Sequence, residues 1–405
     1  MIESLQVLTA KLQKSCKVAP EDLASRCIDA AVALTESAAR TGFRGPDPFD
    51  GLWFQWPEAL VGGRRRRQAI MQLHVRSPVD VRRLYRRSHP LIPKALGIFG
   101  SVGVRAHRQT GAARPRELAL HALTLLDADR SAGPDAWGYH WDMQTRWSFY
   151  AAGSANVVVT AFATAGLMEA SAQMGRSDFA ARASDAARWA LDELWVEPEG
   201  YFGYHPGRPV NIHNASMLGA WLVHVAGPSA QDRIHRAIER TLDAQRADGS
   251  WPYGEAANLA WTDSFHSGYV LLCLDRLRTV DPRIDEAVAR GAEHYRSFFD
   301  AESGRARLWA HKTFPEDAHS AGTGLSTLAA LSRRGLVEPE LLERVALRVL
   351  ERGLRGGHAV HRRYRLGAAT ARYLRWCDAH VALGLVDAAA ALRGDVDLAP
   401  AVADA

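Results

Sequence analysis

Two kinds of predicted helix alternate along this chain of 405 residues. One kind is apolar and nearly free of charge, as in Ser154–Met174, and the other carries charge on one face, as in Asp178–Leu194. A helix that is apolar on all sides is buried in a protein, whereas an amphipathic helix covers a surface. The apolar kind recurs at intervals of roughly 50–60 residues, which is the pattern of a repeat protein built from helical hairpins.

The alternation indicates an all-α fold in a single domain. Six apolar helices packed inside six amphipathic ones would form an (α/α)6 toroid of six helical hairpins. We expect this domain to span residues 1–392, with a basic, loop-rich insertion at 42–90 and a C-terminal tail at 393–405. A linear solenoid of helix pairs is the alternative, but it gives no reason for six pairs. The helices are predicted at about 20–41, 91–110, 114–130, 154–174, 177–195, 211–226, 229–246, 261–279, 282–299, 317–334, 338–353 and 368–392.

Composition limits the class of protein. No apolar run approaches the roughly 18 residues that a membrane span needs, and the N-terminal residues lack the apolar core of a signal peptide. The four cysteines form no CxxC motif, which favours buried, reduced thiols over a disulfide framework or a zinc ribbon. We therefore expect a cytoplasmic protein, and no cofactor or metal is predicted.

A basic stretch begins with the run Arg64–Arg67. Such a run can contact a membrane surface with anionic lipid headgroups, phosphates or an acidic glycan, or it can be a solvated surface segment. Its basic residues are not interleaved with aromatic residues, and no recognised nucleic-acid motif is present. Nucleic-acid binding is therefore not expected.

The segments that enter the apolar helices are rich in acidic, histidine and aromatic residues. In a toroid these segments meet at one rim, so the rim is the predicted functional site. Asp and Asn also cap helices, which gives several of these residues a structural alternative. The candidate catalytic residues are Asp142, Asp263, His266, Asp317 and His319, and the candidate substrate-binding residues are Asp50, Trp53, Trp141, Gln144, Arg146, His213, Asn214, Trp261, Tyr269, Arg372 and Trp376.

These residue types suit a carbohydrate substrate, because aromatic rings stack on sugar faces and Arg, Asp and Asn bind hydroxyl and carboxylate groups. Two reactions stay open. A pair of carboxylates could cleave a glycosidic bond. Alternatively, His266 or His319 could remove the C5 proton of a uronic acid, while Arg146 neutralises its carboxylate, giving epimerisation or β-elimination. We prefer the epimerase or lyase chemistry, since no signal peptide indicates export to digest external polymers.

Several segments carry a resemblance to a known family. The most specific are DPFDGL (Asp47–Leu52) and WTDSFHSGY (Trp261–Tyr269), with further matches in PKALGIF (Pro93–Phe99) and FPEDAHS (Phe314–Ser320). The chain resembles the bacterial six-hairpin proteins of surface-polysaccharide biosynthesis, called VpsJ-type. The resemblance implies the toroid fold and a glycan or glycoconjugate substrate, and it does not imply a particular reaction.

A second, partial resemblance is to the repeats of squalene-cyclase-type toroids. It rests on the segment Thr241–Trp251, in which Gln245 and Trp251 would brace one hairpin against the next. The acidic DxDD motif of those cyclases is broken here at Asp127-Ala-Asp129. A terpenoid cyclase or prenyl-binding toroid is therefore an alternative function, and a non-catalytic glycan-binding protein is another.

Overall fold

The computed structural model describes residues 19–54, 56–77, 80, 82, 88–145 and 148–395. Helices account for most of the described chain. They are α1 (Pro20–Arg40), α2 (Glu58–Val61), α3 (Arg64–Arg76), α4 (Pro93–Thr110), α5 (Ala113–Ala128), α6 (Val157–Met174), α7 (Ser177–Glu193), α8 (His213–Ala226), α9 (Gln231–Asp243), α10 (Ser264–Arg276), α11 (Arg283–Arg296), α12 (Ala318–Arg333), α13 (Pro339–Arg348) and α14 (His380–Leu392).

Six helices form a closed inner ring. In the order α4, α6, α8, α10, α12 and α14, each packs against the next, and α14 packs back against α4. The helices α5, α7, α9, α11 and α13 each lie outside the inner helix that precedes them, and α1 lies outside α14. The all-α toroid of six hairpins predicted from the sequence is confirmed, because a linear solenoid would leave α4 and α14 apart.

The remaining regular structure is short. Four antiparallel pairs of two-residue strands lie in the connections between helices. They pair β1 (Met143–Gln144) with β2 (Phe149–Tyr150), β3 (Trp195–Val196) with β4 (Tyr201–Phe202), β5 (Glu316–Asp317) with β8 (Arg362–Arg363), and β6 (Leu354–Arg355) with β7 (His358–Ala359). A 3₁₀ turn at Ala257–Leu259 and π turns at Val349–Gly353 and Leu374–Ala379 complete the set.

The connections differ in length at the two ends of the ring. Each of the first five inner helices passes to the next outer helix by a turn of a few residues, whereas every inner helix is entered from a long connection. All six inner helices therefore begin at the same rim, which we call the mouth. It is formed by the described residues within 41–92, 129–156, 194–212, 244–263, 297–317 and 349–379.

One predicted helix boundary is wrong. The sequence pattern placed the last helix at 368–392, but the α-helix begins at His380 and follows the π turn. The backbone amides of Ala369 and Leu374 donate instead to the carbonyls of Arg362 and Pro46. Because these donors are used between loops, residues 368–373 cannot continue the helix upstream.

The apolar helix Val157–Met174 is long and apolar enough to cross a membrane. In the structure it is α6 of the inner ring, and most of it is buried against its neighbours. Burial on all sides is the reason that a core helix of a toroid carries so little charge.

The predicted brace between hairpins can be seen at Gln245. Its side-chain amide donates to the carbonyl of Ala287 in α11 over 2.8 Å, while the indole of Trp251 donates to the carbonyl of Thr241 in α9 over 2.9 Å. This segment therefore ties the α8–α9 hairpin to the α10–α11 hairpin, which is a structural role.

Glycine pairs allow the inner helices to approach each other closely. A Cβ atom added at Gly322 in α12 would lie 2.4 Å from the backbone oxygen of His380, and one added at Gly384 in α14 would lie 2.3 Å from that of Gly322. Gly97 in α4 and Gly166 in α6 meet in the same way. The inner helices can therefore pack tightly at two contacts, that of α12 with α14 and that of α4 with α6.

We predict that Gly322→Ala destabilises the protein by about 1–3 kcal/mol, because the added methyl group must push α14 away from α12. Alanine is the better helix former by about 1 kcal/mol, so a net loss reports the steric clash. Chemical denaturation measures it, with Gly203→Ala as the control, since its Cβ would meet its nearest atoms at 3.5 Å. Equal stability of the two variants would contradict the close approach.

Candidate active site

The start of α10 builds a hydrogen-bonded pair of Asp263 and His266 at the mouth. The Asp263 carboxylate caps the helix by accepting the backbone amide of His266 over 2.9 Å, and the same carboxylate lies 2.9 Å from Nδ1 of the His266 ring. A carboxylate of this kind only accepts, so Nδ1 carries the proton and Nε2 is the free acceptor. His266 is about one-fifth exposed and Asp263 is buried, so the acceptor nitrogen is accessible while its partner is held in place.

A second group of polar side chains lies inside the ring, and we call it the central cluster: Lys94, Tyr269, His319 and His380. The Tyr269 hydroxyl lies 2.7 Å from Nε2 of His319, 3.3 Å from Nε2 of His380 and 3.5 Å from Nζ of Lys94. These residues come from α4, α10, α12 and α14. The cluster therefore exists only because the ring closes.

The direction of these hydrogen bonds can be worked out from one contact. Nδ1 of His319 lies 3.0 Å from the carbonyl of Trp376, and a carbonyl only accepts, so Nδ1 carries the proton. Nε2 of His319 then accepts from the Tyr269 hydroxyl. The hydroxyl oxygen can accept in turn from His380 and Lys94, which gives a continuous path of proton donors and acceptors.

Burial keeps the central cluster uncharged. It lowers the pKa of His319 and of His380 well below the ordinary value for histidine, and the two rings and Lys94 repel each other's charge. Burial also lowers the pKa of Lys94 well below its ordinary value, with Arg375 adding to the effect. The pKa of Tyr269 is raised, again mainly by burial. All four shifts favour the uncharged form of the group.

Aromatic rings connect the two polar groups. Phe265 lies between them, with its ring centroid 4.1 Å from that of His266 and 4.5 Å from that of His319. On the other side of His266, Tyr253 and Trp261 are stacked at 4.3 Å, and Tyr253 is 4.5 Å from the His266 ring. The His266 ring thus lies among flat apolar surfaces of the type that bind sugar rings.

A small pocket contains this arrangement. It is lined by Asn214, Tyr253, Asp263 and His266, among others. Asn214 is buried at the start of α8, and its Oδ1 has no hydrogen-bond partner among the described residues. A buried polar atom without a partner is costly, so this atom is available to a ligand hydroxyl or to water.

The other predicted acids are engaged in structural roles. Asp317 caps α12 and forms an ion pair with Arg362 over 3.1 Å. Asp50 is buried against Arg82 at 2.6 Å, and burial raises its pKa to about 6 despite that partner. Asp142 accepts the backbone amide of Ala152 over 2.7 Å. The structure therefore does not bring the predicted acids together as a free carboxylate pair within its described residues.

Four of the predicted binding residues are buried in the protein or hydrogen-bonded to other parts of it. Trp141 and Trp376 are placed with their indole nitrogens buried and without a partner in the described part of the chain. His213 is buried at the start of α8, near Thr241. Gln144 accepts from Arg67 over 3.2 Å.

The last three predicted binding residues lie away from the pocket or are not described. The Trp53 indole donates to the carbonyl of Ser88. Arg372 is exposed, and Arg146 lies outside the described residues.

Four buried polar residues near the candidate site were not among the residues predicted from the sequence. Lys94 and His380 are single polar residues in apolar helices. From the sequence alone they are assigned to the core, because the sequence does not show which residues meet at the centre of the ring. Asp47 and Arg375 form a fully buried pair, with contacts of 2.6 and 2.8 Å, below the central cluster. The available signal was the position of each residue in the first turn of an inner helix or in the loop leading to it.

Metal binding is not indicated by the geometry. In the described ranges, no three His, Cys, Asp or Glu side chains come together as a metal site. Cys273 and Cys377 are buried as free thiols, and burial raises the pKa of Cys273 to about 12. Such thiols are poor ligands, since the thiolate is the binding form.

Several solved structures with a similar fold are named as sugar epimerases and glucuronyl hydrolases. An unsaturated glucuronyl hydrolase from Bacillus sp. GL1 matches with a TM-score of 0.61 at 13% identity, over 89% of this chain and 96% of that one. Cellobiose 2-epimerases from Bacillus thermoamylovorans and Spirochaeta thermophila match with TM-scores of 0.58 and 0.56, both at 12% identity. These matches cover 73% and 75% of this chain and 87% and 86% of those proteins. No family model and no curated protein sequence matches the chain.

We predict that stability falls as the pH drops from about 6.5 to 4, partly through His213. Burial lowers the pKa of His213 to about 4, so the unfolded chain takes up a proton in this range and the folded protein does not. Each such group removes up to about 1.4 kcal/mol per pH unit. Denaturation at several pH values gives the unfolding free energy as a function of pH. In His213→Gln this plot should lose the part of its slope that comes from His213, whereas in His311→Gln, at an exposed site, it should keep it. An unchanged slope in His213→Gln would contradict the prediction.

Proposed function

We propose that this protein is a carbohydrate-active enzyme that transfers a proton at a sugar carbon, by epimerase or lyase chemistry. The observation that carries the proposal is the Asp263–His266 pair, whose Nε2 is the acceptor nitrogen and whose ring lies against Tyr253 and Phe265, next to the central cluster. An Asp that orients a His and stabilises its charged form is an established catalytic device.

The reaction follows from the positions of these groups. His266 Nε2 takes a proton from a carbon next to a carbonyl or carboxyl group, and the electron pair of the C–H bond moves to the oxygen as an enolate. The carboxylate of Asp263 stabilises the imidazolium that forms. Donation of the Tyr269 hydroxyl proton to the opposite face of the carbon gives the epimer, after which Tyr269 regains a proton from solvent and His266 releases one to it. Loss of a leaving group from the adjacent carbon instead completes an elimination.

Hydrolysis by two carboxylates is less well supported. That chemistry needs two carboxyl groups on opposite sides of the glycosidic bond. Of the four predicted acids at the mouth, Asp263, Asp317 and Asp50 are each committed to a cation or histidine partner. Asp142 accepts a backbone amide instead, and one such carboxylate does not make a pair. Proton transfer by histidine requires no such pair.

The substrate class is supported from two further directions. The similar folds belong to proteins named as a cellobiose 2-epimerase and an unsaturated glucuronyl hydrolase. The resemblance to VpsJ-type proteins adds a role in surface-polysaccharide or glycoconjugate biosynthesis, in the cytoplasm. A terpenoid cyclase would instead need an isolated acid in an aromatic cavity, and the central cluster has several bases.

We predict that Asp263→Asn keeps the helix-capping role of this residue and removes its role as the charged partner of His266. Asn caps helices as well as Asp does, so the free energy of unfolding should change little. Activity should fall by about 10²-fold or more, because the imidazolium of His266 loses its counter-charge. His266→Gln should lose activity to a similar degree.

The measurement is proton exchange in D2O. The protein is incubated with a panel of neutral and acidic saccharides, and NMR follows deuterium incorporation and epimer formation. Asp178→Asn, an exposed acid at the start of the outer helix α7, is the matched control and should retain full activity. Wild-type turnover that survives Asp263→Asn and His266→Gln would refute the proposed base, and a glycan-binding role would then be favoured.

A further inference from the structure

An open cleft of about 410 Å³ lies at the mouth beside the His266 pocket. Its walls come from the loops that enter α6, α8 and α10, with one residue from α3. Tyr150, Tyr204 and Tyr253 contribute aromatic surface, and Tyr253 lines both the cleft and the pocket that holds Asp263 and His266. A ligand longer than one ring can therefore extend from His266 into the cleft.

The charged side chains that line this cleft are positive. Arg64 and Arg208 line it, and the described lining residues include no Asp or Glu. Arg208 donates to the hydroxyl of Ser148 over 2.6 Å rather than to a carboxylate. Arginine forks bind carboxylate and phosphate groups with paired hydrogen bonds, so the cleft is complementary to an anion.

A buried polar atom in the same cleft also points to a ligand. Nδ1 of His205 lies 2.8 Å from the carbonyl of Pro206 and therefore carries the proton. The other ring nitrogen, Nε2, is buried and has no partner among the described residues. As an acceptor it suits a sugar hydroxyl, and the anionic group would then be held by the two arginines.

We propose that this cleft binds an anionic sugar unit through Arg64 and Arg208, next to the unit that reacts at His266. The inference rests on the proposed function, because it assigns the substrate class of that same site. The aromatic side chains hold the apolar faces of the sugar, His205 holds a hydroxyl group, and the arginines select for the charge. The arginine run of α3 thereby contributes Arg64 to the mouth, while Arg67 stacks on Phe149 at 4.6 Å.

The test is calorimetric titration with three disaccharides that differ in one group. One ends in glucuronic acid, the second in glucose, and the third in a glucose phosphate. We expect an anionic ligand to bind at least about tenfold more tightly than the neutral one, with an affinity that falls as salt is added. Preference for the carboxylate or the phosphate identifies the source of the charge.

Variants assign the effect to the cleft. Arg208→Gln and Arg64→Gln should remove most of the preference for the anion and leave binding of the neutral disaccharide unchanged. Arg65→Gln is the matched control, because Arg65 is exposed on the same helix but does not line the cleft. The proposal is overturned if the arginine variants bind anionic ligands as the wild type does, if charge makes no difference, or if no anionic saccharide binds. The deuterium-exchange experiment tests the proposed function separately, because its panel includes neutral saccharides.

Discussion

The ring of inner helices is closed by a buried group of three charged side chains. Arg105 in α4 donates to Glu169 in α6 over 2.6 and 2.9 Å, and it also binds Asp387 in α14. Taking these charges out of water is expensive, and removing one partner of a buried pair typically costs about 3–5 kcal/mol. The triad is therefore satisfied only when the first and last inner helices lie side by side. Everything at the mouth depends on that closure.

Closure places basic side chains from three helices in the buried interior of the ring. Lys94, His319 and His380 would carry charge on a surface, but inside the ring their charged forms are disfavoured by desolvation and by each other. The result is a set of neutral donors and acceptors around the Tyr269 hydroxyl. His266 differs from them, because it is partly exposed and has the carboxylate of Asp263 as its partner. In the proposed mechanism His266 acts as the base beside these groups, whose charged forms are disfavoured.

The sequence predicted the helices well, and it pointed to several polar residues that the structure brings to the mouth, for physical reasons that can be named. Helical periodicity and capping residues such as Asp263 are local features, so they located the inner helices and their starts. The roles of Asp317 and Asp50 depend on Arg362 and Arg82, which approach from distant parts of the chain. Neither partner could be assigned from spacing. Lys94 and His380 were missed because their importance comes from meeting across the ring. The π turn before α14 likewise follows from hydrogen bonds between loops.

The most direct test of this account is a crystal structure with a bound saccharide that exchanges deuterium in solution. The account predicts that the exchanging carbon lies within about 3.5 Å of Nε2 of His266, with the sugar ring against Tyr253 and Trp261. A saccharide bound away from the mouth would contradict it. So would a saccharide whose glycosidic bond lies between two carboxylates with His266 out of reach.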